Sequence, residues 1–233
     1  MKFIQNQRSL SPSPTLREKA KVVPRQAIRY PDLFWLFLFG SLLGFLLEGL
    51  WNIAMRGSWA NHAATVWGPF CIIYGLGAVA MYTLSFPLRE RSVVVQFVIY
   101  ATAGSLLEFS ASLFQELCFG STSWDYSDQF LNVGGRISLR MTLLWGILGL
   151  IFSLCIFPLA TALLAYTHSK GWNVACGLLS VMMAANLLLT AAAVRRWHDR
   201  LEAIPAANNW EAYLDQTYDD RTMEEIFSNM VFE

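Results

Sequence analysis

Glu48 and Glu108 each stand inside a long apolar run, four residues after a glycine: Gly44-Phe-Leu-Leu-Glu48 and Gly104-Ser-Leu-Leu-Glu108. Residues four apart share a helix face, so Gly40, Gly44, Glu48 and Asn52 form one stripe and Gly104, Glu108, Ser112 and Glu116 another. A carboxylate inside a membrane costs on the order of a few kcal/mol, so it turns inward and takes a partner. It is then either hydrogen-bonded structural glue, or part of a polar pocket that carries an ion or solute or serves as acid or base. A second set of polar residues follows: Trp124-Asp125-Tyr126, then Asn132-Val-Gly-Gly-Arg136. Here Arg136 is the natural counter-charge for Asp125, Glu108 or Glu116. The plainer alternative makes the rings interfacial anchors and Arg136 a snorkelling side chain. The expected pocket is built from Glu48, Glu108 and Arg136, with Asn52, Asn61, Glu116, Asp125 and Asn132 as further candidates.

Other chemistry finds little support. Cys71, Cys118, Cys155 and Cys176 have neither CxxC nor Cys/His zinc spacing, and His62, His168 and His198 have no ligand spacing and read as surface histidines. Phosphate-loop, dinucleotide, zinc-protease and serine-elbow motifs are missing, so any ATP-driven role would need a second chain. We expect no cofactor, no metal and no nucleic-acid partner.

The elements that must position these residues are membrane helices. Of 233 residues, 55% are hydrophobic and 15% charged, too apolar for an ordinary soluble domain. Net charge is zero but divided: residues 1–30 carry seven basic and one acidic residue, 31–194 six and seven, and 195–233 four and nine. This predicts a basic flexible arm (1–30), a transmembrane bundle (31–194) and an acidic amphipathic tail (195–233). Apolar segments over Leu33–Met55, Val66–Phe86, Ser92–Glu116, Ile137–Phe157 and Trp172–Val194 are each long enough to span a bilayer. Pro158 either kinks a longer fourth helix or ends it before a short interfacial piece. The loop from Leu117 to Gly135 is expected to fold over the bundle. Apolar spacing in the tail predicts two short amphipathic helices, docked on an aqueous-side surface.

The fold class is therefore all-α, a polytopic membrane bundle of about five spans. Matching Gly-x3-Glu stripes, each followed by an Asn and a Trp-Gly pair (Trp67-Gly68, Trp145-Gly146), would make helices one and two a parallel repeat of helices three and four. Counting Lys and Arg gives ten against seven in favour of an inside N-terminus, and the Arg195-Arg196-Trp197-His198-Asp199-Arg200 run pulls the other way.

Gly44-x3-Glu48, Asn61, Trp67-Gly68-Pro69-x4-Tyr74-Gly75-x-Gly77, Glu108-x7-Glu116, Trp124-Asp125-Tyr126-Ser127, Asn132-x-Gly134-Gly135-Arg136-Ile137 and Trp145-Gly146 resemble the ABC-transporter type IV family, also called CmpB-like. The resemblance covers about residues 37–158 and adds Tyr74 to the pocket candidates. It departs from the family at Asn61-His62-Ala63, where an Asn-Arg-Gly is usual, and at Asn132-Val-Gly134-Gly135, where Asn-x-Asn-Gly is usual. It implies a multipass protein of the bacterial inner membrane, permease-like and without a defined substrate. Its partners would be membrane lipids together with a second copy, other membrane subunits or cytosolic ones. Three readings stay open: a transport-associated permease subunit, an intramembrane enzyme acting on a lipid-type substrate through Glu48, Glu108 or Asp125, and a non-catalytic scaffold.

Overall fold

The computed structural model describes residues 28–232, so all but the end of the basic arm lies outside the described residues. Five apolar helices follow one another: α1 (Tyr30–Arg56), α2 (Ile72–Leu88), α3 (Val93–Phe119), α4 (Leu139–Tyr166) and α5 (Lys170–Leu201). The tail forms α6 (Asn209–Thr217) and α7 (Asp220–Ile226), and β1 (Ser121–Thr122) pairs antiparallel with β2 (Val231–Phe232). Four of the helices, α1, α3, α4 and α5, are long and apolar enough to cross a membrane, whereas α2 has 17 residues. At about 25 Å, α2 falls short of a hydrocarbon core about 30 Å thick.

The shortness of α2 has a chemical cause. The second apolar segment begins at Val66, but Gly68 is left-handed (φ 79°) and Pro69 has no N–H, so no helix forms until Ile72. Residues 57–71 instead re-enter the bundle as irregular chain. In lipid such backbone must be satisfied by protein. Cys71 N donates to the Ser41 carbonyl (3.0 Å), Val66 N to Thr190 Oγ1 (3.0 Å) and Trp67 N to Asn186 Oδ1 (3.1 Å), while Asn186 Nδ2 donates back to the Trp67 carbonyl (2.8 Å). Asn186 and Thr190 are thus the polar residues in α5 that make a non-helical segment tolerable.

Pro158 does not end α4. A wide π turn over Phe152–Ile156 absorbs the missing donor and the helix runs on to Tyr166, with Ser153 Oγ donating to Gln96 Oε1 of α3 (3.1 Å). At the same end of the bundle as the N-terminus of α1, the Asp32 carboxylate receives Arg29 and lies 3.0 Å from His168 Nε2. His168 is therefore a partner of a buried aspartate and not the bare surface residue its sequence position suggested.

Both short tail helices form, and they dock on this chain itself. Leu214, Tyr218, Met223 and Phe227 pack against Ala193, Val194 and Trp197 at the end of α5. Arg196, buried, donates to both oxygens of Asp215 (3.1 and 2.8 Å), and Arg200 donates to Asp215 (2.8 Å) and Asp220 (2.7 Å). The basic run after the fifth span is thus paired with carboxylates of the same run and of the tail. Asn61 Nδ2 donates to the Glu225 carbonyl (3.0 Å), Ser228 Oγ donates to the Asn61 carbonyl (2.8 Å), and Trp67 Nε1 donates to Tyr218 (3.0 Å). Residues 57–71, the α3–α4 loop and the tail together form one cap over one end of the bundle.

The hydrogen bonds from Arg196, joined by those from Arg200, outweigh burial, which acts the other way, and hold the Asp215 carboxyl below the usual carboxylate range. A depressed folded-state value means that its stabilisation is fully present above the unfolded value of about 3.9 and is lost as pH falls through the folded one. Protection of the amides in residues 209–232, taken relative to their intrinsic exchange rate, should therefore hold to about pH 4 and fall only below it. Asp215→Asn should lower that protection already at pH 7 and flatten its acid dependence.

Candidate functional site

The carboxylates are placed by a unit that occurs twice. Tyr74, in the first turn of α2, lies with its Cβ and ring against Gly44, and its hydroxyl donates to Glu48 Oε1 (2.5 Å). Trp145, in α4, lies with its Cβ and ring against Gly104, and its indole Nε1 donates to Glu108 Oε2 (2.6 Å). In each case the glycine opens a slot for an aromatic ring, and the ring's polar atom reaches the glutamate one turn further along the same stripe. The glycine following each ring residue completes the match: Gly75 sits against Phe37 and Gly146 against Phe97, and three residues on, Ala78 meets Gly40 and Gly149 meets Tyr100. The α1–α2 pair and the α3–α4 pair are therefore packed in the same register.

The sequence pairing of Trp67-Gly68 with Trp145-Gly146 is corrected by this register. The counterpart of Trp145-Gly146 is Tyr74-Gly75, because both rings fill a glycine slot and donate to the glutamate one turn on, whereas Trp67 lies on the re-entrant segment and turns to the tail. Tyr74 lies against the stripe of α1 and bonds Glu48.

The two halves differ in completeness. Glu108 is buried and both its oxygens are occupied, since Tyr126 donates to Oε1 (2.8 Å) and Trp145 to Oε2. Burial and the Glu108 carboxylate push the Tyr126 phenol up, so it remains a donor at neutral pH. Glu48 is half-buried and receives only Tyr74 among the described residues, leaving Oε2 without a donor. No cation bonds to either among the described residues; their donors are neutral aromatic groups. The seam between the halves, lined by Gly77, Tyr100, Gly104 and Trp145 among others, holds a void of about 10 Å³, room for about one water.

Asn52, buried one turn beyond Glu48, donates from Nδ2 to the Glu48 carbonyl (3.1 Å) and lies 2.7 Å from His62 Nε2. His62 was not expected here; the only signal for it was the polar stripe that ends in Asn52. Tyr126 and Trp145 were visible in the motifs without being named as pocket residues.

Arg136 is not in this cluster. It forms its ion pair with Glu116, donates from Nη1 to the Gly134 carbonyl (3.1 Å) and stands 5.8 Å from the Phe109 ring centroid. Asp125 is exposed and receives the amide (2.9 Å) and hydroxyl (2.5 Å) of Ser127, which hold its carboxyl below the usual range. Asn132 closes the loop by donating to the carbonyls of Ser127 and Gln129 (3.0 Å each) and accepting from Gly135 N (3.2 Å). These contacts order the loop, and its Tyr126 N to Gly135 carbonyl bond (2.7 Å) aims the Tyr126 side chain at Glu108. Glu116, Asp125, Asn132 and Arg136 thus build the lid that delivers Tyr126, and Asn61 belongs to the clasp on the tail.

Four helices long and apolar enough to cross a membrane define a polytopic membrane protein. A family model, Putative ABC-transporter type IV, matches residues 35–191, and the chain belongs to that family. No curated protein and no solved structure matches the chain.

The glycine slots can be tested by filling them. Gly44→Ala and Gly104→Ala each drive a methyl into a ring that the neighbouring helix fixes, and should lower stability in detergent by about 1–3 kcal/mol. Gly177→Ala, at a site in α5 with nothing near the new carbon, should be neutral or up to about 1 kcal/mol stabilising. Thermal unfolding of the purified variants gives the comparison.

Proposed function

We propose that the chain is the membrane subunit of a transport system of the cell membrane, and that Glu48 is its working carboxylate. The observation that carries this reading is the asymmetry between the two halves. Glu108 has every acceptor occupied by protein, as a structural carboxylate should, while Glu48 keeps one oxygen without a donor in a half-buried position. A carboxylate with a free acceptor position in a membrane interior can take up a proton or a cationic group in one state and release it in another. His62 lies on the same side, 2.7 Å from the Asn52 amide that donates to the Glu48 main-chain carbonyl.

The closed seam between the two helix pairs must part, or be completed by another subunit, for a solute to pass. The sequence carries no phosphate-binding loop, so ATP hydrolysis, where used, comes from a partner chain. The tail, turned back on its own bundle, leaves α6 and α7 at the cap end, where such a partner could meet them.

Glutamine replacements separate the two carboxylates. Glu48→Gln keeps a carbonyl acceptor for Tyr74, so expression and thermal stability should match wild type while reconstituted flux, or complementation of a deletion strain, falls at least about tenfold. Glu108→Gln leaves one of two donors facing an amide N–H₂, and should lose about 1–3 kcal/mol of stability. Wild-type flux in Glu48→Gln at equal expression would make both glutamates structural.

A further inference from the structure

Beside the loop lid, and separate from the carboxylates, a groove of about 600 Å³ runs along the first turns of α4. Its mouth carries Asp128, Gln129 and Arg140, and its wall is Leu139, Leu143, Leu144 and Ile147, with Phe130 at the side. Leu143, Leu144 and Ile147 are exposed, and the neighbouring loop tip presents Phe130 (76% exposed) and Leu131 (63% exposed) outward. Leu131 is held in the left-handed region (φ 51°), a conformation that an aliphatic residue adopts only under constraint. An apolar tip beside the first turn of a spanning helix sits at the level where headgroups meet acyl chains.

The two charges at the mouth are the informative part. Asp128 and Arg140 line the same groove, yet neither makes an ion pair or a side-chain hydrogen bond among the described residues. Every other arginine of the cap end except Arg56 is engaged: Arg136 with Glu116, Arg195 with Asp199, Arg196 and Arg200 with Asp215, and Arg221 with Glu225. A groove that keeps one cation and one anion apart matches a ligand that brings one of each. Its aliphatic wall matches one acyl chain.

We infer that this groove binds one zwitterionic diacyl phospholipid with a primary-amine headgroup. The phosphate lies on Arg140, which can bond it through two N–H groups, and the ammonium lies on Asp128. One acyl chain follows Leu143, Leu144 and Ile147. A net anionic headgroup would set its charge against Asp128, and a quaternary amine would give Asp128 no hydrogen bond. The inference does not rest on the transport reading.

Full-length protein in detergent, titrated with phosphatidylethanolamine, phosphatidylcholine or phosphatidylglycerol of equal chain length, tests this by native mass spectrometry. Phosphatidylethanolamine should bind at one equivalent and about tenfold tighter than either competitor, one charge-assisted hydrogen bond's worth of discrimination. Arg140→Gln and Asp128→Asn should each weaken it about tenfold. Both side chains are exposed, so circular dichroism and unfolding temperature should not change, and Arg56→Gln, outside the groove, should bind as wild type. Equal affinity for the three lipids, a preference for phosphatidylglycerol, or unchanged binding in both groove variants would overturn the proposal.

Discussion

A carboxylate in an apolar bundle has to find its hydrogen-bond donors within the protein, and this chain meets that demand with aromatic donors seated on glycines. Tyr74 on Gly44 and Trp145 on Gly104 fix how closely α1 approaches α2 and how closely α3 approaches α4. Without the slots the rings could not reach the stripe, and without the rings Glu48 would lose its donor and Glu108 would keep Tyr126 alone, a cost of about 1–3 kcal/mol for each stranded acceptor. Packing and polar satisfaction are one interaction here, made twice.

The remaining architecture supplies what those two units leave open. The α1–α2 unit is reached by a re-entrant segment, whose freed backbone is taken up by Asn186 and Thr190 of α5. The α3–α4 unit is completed by the loop, which the Arg136–Glu116 pair and the Asn132 bonds hold so that Tyr126 reaches Glu108. The tail clasps both through Asn61 and the β1–β2 pair. Helix pairs packed in the same register thus acquire different third partners, and the difference falls on the carboxylates: one with both oxygens bonded, one with an oxygen to spare.

Much of this was legible in the residues. The apolar runs marked the helices, the tail spacing marked α6 and α7, and the Gly-x3-Glu stripes marked one half of the repeat, because each of these is a local pattern with a fixed period. The other half was not legible, since the repeat conserves a ring with a polar atom and not a residue type: Tyr74 does for Glu48 what Trp145 does for Glu108, and the literal match of Trp67-Gly68 pointed elsewhere. Arg136 was misplaced for a related reason. Charge complementarity alone offered Glu108, Glu116 and Asp125 as equals, and only the course of the loop selects Glu116. His62 and His168 were read as surface residues because nothing local announces that Asn52 and Asp32 would come to lie beside them.

The central claim, that the aromatic donor and the glutamate act as one buried pair, is tested most directly by a double-mutant cycle on Tyr74→Phe and Glu48→Leu, read as unfolding free energy in detergent. Each single change strands the other's polar group and should cost about 1–3 kcal/mol, while the double variant, with both groups gone, should cost clearly less than the sum. Strictly additive losses, or single variants as stable as wild type, would contradict the pairing and with it the account of how the two helix pairs are held.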